Sequence, residues 1–361
     1  PVGDGRVWRV QRMVTVGARP KYWSSPLRCR PLGKPTRSAP LVCCQPRPRD
    51  GPNDTAQSHE LVSRPDDRYV LIGATGQLGF DLARTFDLPG TLLTPAHADL
   101  DVLDARGVRD ALRTLRPTHV LNTAAWNAVD AAEQEPQRAF ALNAEAVGTL
   151  ADVCQSLGAT LVHFSTDYVF DGLKRAPYSE ADAPNPLGAY GASKLAGEQL
   201  ARERCERALV IRVSGLFGVA KSAGKGGTNF VETMLGLARA GRALRVVADQ
   251  VLGPSYTLDL ARVIWRAIGS GHVGLCHATS AGETSWHDFA REIFRLEGVT
   301  PSLSAVTSAE YGARAKRPLY SVLAHDTLRT LGIPEPRAWQ PALAAYLAEL
   351  RAISALARPD S

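Results

Sequence analysis

The stretch RYVLIGATGQLGFDLARTF, residues 68–86, decides the fold. It opens with an uninterrupted apolar run, which is typical of a buried strand, and closes with a helical pattern. Gly73, Gly76 and Gly79 stand between the two. Glycine at this junction lets the chain turn tightly and lets a pyrophosphate approach the backbone N–H groups that begin the helix. A purely structural turn can contain the same glycines, so the rest of the chain must decide between a phosphate-binding turn and a structural one.

Alternating strand and helix patterns continue as far as residue 218. Beyond the opening stretch, the predicted strands lie at 91–94, 118–126, 159–170 and 208–218, and the predicted helices at 104–117, 136–158 and 189–204. This alternation requires right-handed crossovers between parallel strands, with helices on both faces of the sheet. We therefore predict an α/β fold with a doubly wound, Rossmann-like parallel sheet.

The rest of the chain is divided into a second domain and two tails. After residue 218 helical patterns are separated by short strands and proline-bearing loops, which favours a smaller substrate-binding domain. The predicted parts are a disordered tail over 1–66, an NAD(P)-binding domain over 67–218, a substrate domain over 219–352 and a C-terminal tail over 353–361. Part of 245–270 is expected to return to the first domain's sheet.

The net charge of +6 is concentrated in the N-terminal tail. Residues 1–50 hold eleven Lys or Arg against Asp4 and Asp50, which leaves a mildly acidic remainder of −3. An acidic body does not favour nucleic acid as a partner. The tail lacks apolar periodicity and the apolar core of a secretory signal. We interpret it as a transit-like segment or, preferably, as a translated stretch upstream of the true start.

Two further features bear on the cellular setting. No apolar run reaches the ~18 residues that a membrane-spanning helix needs, so no membrane association is expected. The six cysteines form neither a CxxC pair nor a disulfide framework. A reducing, cytoplasmic location is therefore predicted.

The second predicted strand lacks a feature of NAD-binding folds. An acidic residue usually ends this strand and holds the ribose 2′-hydroxyl of NAD. Here Thr94, Pro95 and Ala96 occupy the position. The sequence therefore leaves the choice between NADH and NADPH open.

Tyr190 and Lys194 lie one helical turn apart where the helix over 189–204 begins, so they project from one face. Alone, this is an ordinary helix start. Upstream, however, the strand over 159–170 places the Ser165 and Thr166 hydroxyls at the carboxyl edge of the sheet, where ligands bind in such folds. A neighbouring ammonium favours an ionised phenol, which brings tyrosine closer to a working acid or base. The set predicts proton delivery to a carbonyl that Thr166 holds while a nicotinamide supplies hydride.

Seven segments between Arg68 and Leu350 resemble the dTDP-4-dehydrorhamnose reductase family of the extended short-chain dehydrogenase/reductases. In chain order they are GATGQLG, VLNTAAWNAVDAAEQEP, ALNAEAVGTLA, STDYVFDG, YGASKLAGE, GKGGTNFVETML and RPLYSVL. The resemblance implies an NADPH- or NADH-dependent oxidoreductase that reduces the 4-keto group of a nucleotide-linked 6-deoxy sugar, in the synthesis of dTDP-L-rhamnose and cell-surface polysaccharide. A nucleotide sugar is the implied partner, and a homodimer and a magnesium ion are compatible with the family.

The resemblance also implies roles for individual residues. Tyr190 would be the proton donor, Lys194 its partner and Thr166 the hydroxyl that holds the carbonyl. The implied cofactor contacts, besides Tyr190 and Lys194, are Gly73, Gly76, Gln77, Leu78 and Gly79 along the glycine turn, Asp101 and Val102 at the adenine, and Ala124, Ala125, Trp126 and Asn127 at the nicotinamide side. The implied substrate contacts are Thr166, Asp167, Asn229, Phe230 and Arg317. No magnesium ligands can be matched.

Departures from the family pattern leave alternatives open. Trp126 and Asn127 stand where the family more often has Tyr or His and then Thr, and Gly215 stands where some members place a substrate-stacking Trp. Sugar-nucleotide dehydratases share the fold but follow the threonine with Asp-Glu, whereas here Tyr168 follows Asp167. An epimerase, or a regulatory subunit like the beta subunit of methionine adenosyltransferase, also resembles the chain. The presence of both Tyr190 and Lys194 favours the reductase.

Overall fold

The computed structural model describes residues 63–220 and 227–356, and its centre is a six-stranded parallel sheet. The strands are β1 (Arg68–Ile72), β2 (Thr91–Leu93), β3 (His119–Asn122), β4 (Thr160–Thr166), β5 (Ala208–Val213) and β6 (Gly274–His277). They are arranged in the order β6–β5–β4–β3–β1–β2. The chain passes from β1 to β2 on one side and returns to β3 on the other, so β1 and β3 flank the switch point where ligands bind in such sheets. The predicted doubly wound fold is confirmed.

Alternating side chains of the strands bury both faces of this sheet. Tyr69 and Leu71 point to a core that includes Trp265, whereas Val70 and Ile72 point to the opposite core. This is the period of two that a parallel strand buried on both sides requires. One face is covered by α1 (Gln77–Arg84), α8 (Thr257–Gly269) and α11 (Asp326–Thr330), and the other by α2 (Ala105–Leu115), α5 (Ala146–Leu157) and α6 (Ala189–Arg204).

The C-terminal domain has its own apolar core. Three helices supply most of it: α7 (Phe230–Arg239), α9 (Trp286–Glu297) and α12 (Trp339–Leu356). Two-residue strands pair 216–217 with 255–256 and 251–252 with 284–285, and four-residue strands pair 244–247 with 303–306. The short helices are α3 (Val129–Ala132), α4 (Pro136–Phe140) and α10 (Ser308–Tyr311). None of the helices in the described ranges is long and apolar enough to cross a membrane.

The structure shifts several predicted boundaries. The helix predicted over 136–158 is divided, because residues 141–145 form a π turn between α4 and α5. The strand that returns to the sheet is β6, which lies after the expected window of 245–270, while α8 inside that window packs on the sheet. The helix α12 continues to Leu356, into the predicted C-terminal tail.

The predicted N-terminal tail lies mostly outside the described residues. Residues 1–62 are not described, so the prediction of disorder there stays a prediction. Residues 63–66, which were assigned to the same tail, do enter the described fold. The Arg64 amide donates to the Asp67 carboxylate at 2.7 Å, and the Asp67 amide donates to the Arg64 carbonyl at 3.1 Å. The described fold therefore includes residues before the expected boundary at residue 67.

Candidate active site

The glycine turn at the end of β1 is tightly folded. Gly73 has φ of +83°, a left-handed conformation that favours glycine, and its carbonyl accepts the Gly76 amide at 2.9 Å. A Cβ on Gly79 would lie 2.2 Å from the Gly73 carbonyl oxygen, so this position has no room for a side chain. Gly76 caps α1 without any side-chain hydrogen bond. The first N–H groups of α1 therefore have no capping side chain, which is the arrangement that binds phosphate.

Hydrogen bonds join this turn to the loop after β3. The Thr123 hydroxyl donates to the carbonyls of Ile72 at 2.7 Å and Gly73 at 3.1 Å. Ala124, Ala125, Trp126 and Asn127 follow directly, so the predicted pyrophosphate and nicotinamide contacts are brought side by side. In the loop that follows β2, the Asp101 carboxylate accepts the Leu103 amide at 3.0 Å, and the Val102 side chain is buried in the core. Only the backbone of Val102 is left for an adenine contact.

The same loop is fastened to the helix that carries Tyr190 and Lys194. Asn143, in the π turn, accepts the Trp126 amide at 2.8 Å and donates to the Trp126 carbonyl at 3.0 Å. Its amide also donates to the Ser193 hydroxyl at 3.0 Å. One buried asparagine thus fixes the distance between the predicted nicotinamide loop and α6.

Unpartnered polar atoms lie at this edge of the sheet, between the glycine turn and the start of α6; we call this region the cleft. Gln77 Nε2 and Trp126 Nε1 are buried donors that have no hydrogen-bond partner within the described ranges. A buried donor without a partner costs about 1–3 kcal/mol, so such atoms commonly mark a ligand site. Together with the uncapped start of α1, they fit a dinucleotide. The Arg138 guanidinium lies 4.9 Å from the Trp126 ring centroid and holds that ring on its outer side.

Tyr190, Lys194 and Thr166 meet at the carboxyl end of β4. The Tyr190 side chain lies beside Thr166, and the Lys194 ammonium donates to the Phe164 carbonyl at 2.6 Å. The Glu133 carboxylate accepts the Ala189 amide at 2.7 Å and so caps α6 from outside, because Gly188 has no side chain. The structure therefore brings the three predicted catalytic residues together.

The electrostatics of the pair differ from the expectation. Burial raises the pKa of Tyr190 to about 12, although the neighbouring Thr166 hydroxyl acts in the opposite direction. Burial lowers the pKa of Lys194 to about 8, with Glu198 acting in the opposite direction. We expected the ammonium to lower the phenol pKa. In this structure desolvation dominates the pKa of Tyr190 instead, and the ammonium is bound to the Phe164 carbonyl.

Asp167, a predicted substrate contact, lies at the centre of a buried network. It accepts from the Thr166 hydroxyl at 3.1 Å, from Ser214 at 2.8 Å and from Ser321 at 2.5 Å, while burial raises its pKa. Gly215, beside it, has φ of +54°, and a Cβ there would lie 2.8 Å from Leu252. The position therefore cannot take the stacking Trp of some relatives without rearrangement.

The other predicted substrate contacts are in two places. Arg317 lies beside Tyr168 and pairs with Asp130, so it belongs to the Tyr190 side of the cleft. Asn229 caps α7, and its amide donates to the Gly218 carbonyl at 3.0 Å and to the Tyr346 hydroxyl at 2.9 Å. Phe230 packs on Trp286 in the C-terminal core. The structure does not bring Asn229 and Phe230 to Tyr190, because both serve the packing of the second domain.

Sequence reasoning did not single out four residues that build the site. They are Asn143, Asp130, Glu133 and Tyr168, and all four lie inside segments that carried the family resemblance. Their places in these segments were the only sequence signal of a role in the site. Their contacts join residues that are distant in sequence, so only the folded structure shows them. The magnesium ion left open by the resemblance gains no support: in the part of the chain that the structure describes, no group of three or more His, Cys, Asp or Glu could hold a metal.

The chain is similar over most of its length to proteins of one family. Residues 68–352 match a family model described as the RmlD substrate binding domain. The chain is 38% identical to the spore coat polysaccharide biosynthesis protein SpsK of Bacillus subtilis (strain 168), across 78% of this chain and 97% of that protein. It is 38% identical to a dTDP-4-keto-6-deoxy-D-glucose reductase of Streptomyces niveus, across 77% and 95%. A solved dTDP-4-dehydrorhamnose reductase of Bacillus anthracis str. Ames, in complex with NADP, matches with a TM-score of 0.75 and 34% identity, across 79% and 99%.

Proposed function

The chain belongs to the dTDP-4-dehydrorhamnose reductase family, and from this premise we propose that it reduces the 4-keto group of a dTDP-linked 6-deoxy sugar. The reaction that the family favours is conversion of dTDP-4-dehydro-L-rhamnose to dTDP-L-rhamnose. The observation that carries the proposal is that Tyr190, Thr166 and Lys194 lie together at the carboxyl end of β4, where the Lys194 ammonium is held by the Phe164 carbonyl. This edge of the sheet also holds the uncapped start of α1.

The residues supply proton transfer and orientation. A reduced nicotinamide, when bound along the loop after β3, supplies the hydride. Thr166 holds the substrate carbonyl oxygen by a hydrogen bond once its hydroxyl turns from Asp167 to the substrate, and Tyr190 gives that oxygen its proton. The raised pKa of Tyr190, about 12, keeps the phenol protonated at neutral pH, so the proton is in place before negative charge develops on the oxygen. Lys194 provides positive charge near the phenol and near the cofactor ribose.

The same cleft suggests which cofactor is used. The end of β2 offers Thr94, Pro95 and Ala96 where an acidic residue would select NAD. No carboxylate there repels a 2′-phosphate, and the related Bacillus anthracis structure contains NADP. We therefore favour NADPH, with NADH as the weaker donor.

Two further expectations concern the cellular compartment and the oligomeric state. The three described cysteines, Cys154, Cys205 and Cys276, are free and buried, which supports a reducing compartment such as the cytoplasm. A homodimer is proposed from the family alone. Light scattering of the purified protein measures its mass in solution and decides between monomer and dimer.

A substrate panel tests the function directly. Purified protein is mixed with NADPH or NADH and with 4-keto-6-deoxy sugars linked to dTDP or UDP, and loss of reduced-nicotinamide absorbance is followed. We expect turnover with the dTDP-linked keto sugar, faster with NADPH. Binding of NADPH without turnover of any sugar would instead support a regulatory subunit.

A further inference from the structure

The loop 315–321 is fastened to the N-terminal domain beside the catalytic tyrosine. At its start, the Ala315 amide donates to Asp130 at 2.9 Å. At its end, the Ser321 hydroxyl donates to Asp167 at 2.5 Å. Between these points lies Arg317, whose side chain is only 19% exposed. The loop is therefore held to α3 on one side and to the end of β4 on the other.

Most of the hydrogen bonds that Arg317 can donate are used within the protein. Its guanidinium donates to both carboxylate oxygens of Asp130, at 2.6 and 3.2 Å, and to the Ala315 carbonyl at 3.1 Å. The guanidinium also lies beside Tyr168. A guanidinium has five N–H donors. Three of these donors are thus used within the protein, and the end of the guanidinium faces Asp130 instead of the diphosphate of a nucleotide sugar.

Tyr168 lies between Arg317 and the catalytic tyrosine, Tyr190. Its ring packs edge-to-face on Tyr190, with centroids 5.8 Å apart and planes at 82°. Its backbone is equally close to α6, because a Cβ on Gly191 would lie 2.2 Å from the Tyr168 carbonyl oxygen. Its amide donates to Thr166 at 3.2 Å. A shift of Tyr168 would therefore move the surroundings of both the proton donor and the hydroxyl that holds the carbonyl.

We propose that Asp130 is a positioning residue for proton transfer: it holds Arg317 and the loop 315–321 beside Tyr168, and the ring of Tyr168 packs on Tyr190 and sets its position. The proposal rests on the reductase function proposed above. It assigns Arg317 a role through Tyr168 instead of the substrate contact that the family resemblance implies. Neither Asp130 nor Arg317 touches the reacting atoms in this account.

The test combines two variants that break the same ion pair. Asp130→Asn removes the charge, and Arg317→Lys removes the fork, because an ammonium cannot bind the carboxylate and the Ala315 carbonyl in the same geometry. Each is expected to lower kcat about tenfold, since small misplacements of reacting groups are costly. KM for the keto sugar and Kd for NADPH should stay within about twofold. The double variant should lose no more than either single one, because the two residues act as a unit.

A matched control is Asp152→Asn, which breaks the exposed Arg204–Asp152 pair at 3.3 Å and should leave kcat unchanged. The proposal would be overturned if Arg317→Lys raised KM while Asp130→Asn changed neither kcat nor KM, because Arg317 would then bind substrate directly. Equal kcat in Asp130→Asn and Asp152→Asn would also overturn it.

A second measurement does not depend on turnover. With carbon-13-labelled tyrosine, the ring resonance of Tyr190, assigned from its loss in Tyr190→Phe, should shift in Asp130→Asn and stay unchanged in Asp152→Asn. An unmoved resonance would refute the positioning role even if the wild type reduced no sugar in the panel. Absence of wild-type turnover with a shifted resonance would instead count against the proposed function and leave the positioning role supported.

Discussion

The two sides of the cleft differ in whether their polar groups have hydrogen-bond partners. On the cofactor side, the start of α1 has no capping side chain, and Gln77 Nε2 and Trp126 Nε1 are buried without partners in the described structure. On the substrate side, Asp167 accepts three side-chain hydrogen bonds and Arg317 is held by Asp130 and the Ala315 carbonyl. The difference suggests that a ligand completes the cofactor side, whereas the substrate side is already assembled and acts by holding its catalytic groups in place.

The largest loss of turnover is expected from substitution of Tyr190, on the substrate side of the cleft. Tyr190→Phe keeps the ring and its packing on Tyr168 but removes the proton that the carbonyl oxygen receives. Turnover should fall about 10²–10⁴-fold, the usual contribution of a positioned general acid. NADPH affinity, measured by fluorescence titration, should stay the same because the cofactor side is unchanged. Near-wild-type turnover would show that this tyrosine is an ordinary helix-start aromatic.

A substitution at the glycine turn should have the reverse pattern. Gly76→Val places a side chain beside the first N–H groups of α1 and should weaken NADPH binding about 10²-fold, since hydrogen bonds to charged groups contribute about 1.5–3 kcal/mol each. The fold should persist, because a Cβ on Gly76 meets the Gly73 carbonyl at 3.3 Å, an approach that a small adjustment relieves.

Gly79→Val is the contrasting variant, since its Cβ would lie 2.2 Å from the same oxygen. It should lower the melting temperature by several degrees, whereas Gly76→Val should lower it little. Calorimetry and NADPH titration of both variants separate the two effects. Unchanged NADPH affinity in a folded Gly76→Val would contradict the phosphate-binding role of the turn.

The smallest expected effect is a pH dependence that links the two sides. Because burial lowers the pKa of Lys194 to about 8, its ammonium is present below that pH and is lost as the pH rises through it. Kd for NADPH should therefore rise about tenfold between pH 7 and pH 9, as expected for loss of one proton. Lys194→Arg stays charged over this range, so its Kd should show little of this rise. A flat wild-type profile would separate Lys194 from cofactor binding.

Local patterns predicted the elements but not the contacts between them. The helix predicted over 189–204 is observed as Ala189–Arg204, because a glycine precedes it and its buried positions recur every three or four residues as far as Ala201. The π turn at 141–145 was not predicted, since it depends on the bonds of Asn143 to Trp126 and Ser193, which are distant in sequence. The Asp130–Arg317 pair spans 187 positions, so no local pattern could indicate it.

The central claim is hydride and proton transfer to one carbonyl group, and an isotope measurement tests it most directly. Wild-type protein is mixed with NADPH deuterated at the transferable position and with dTDP-4-dehydro-L-rhamnose, and the product is examined by mass spectrometry and NMR. The account predicts one deuterium on carbon 4 of the dTDP-linked sugar in the wild type, and a rate of incorporation at least about 10²-fold lower in Tyr190→Phe. Wild-type protein that binds the deuterated cofactor but transfers no deuterium to carbon 4 would contradict it.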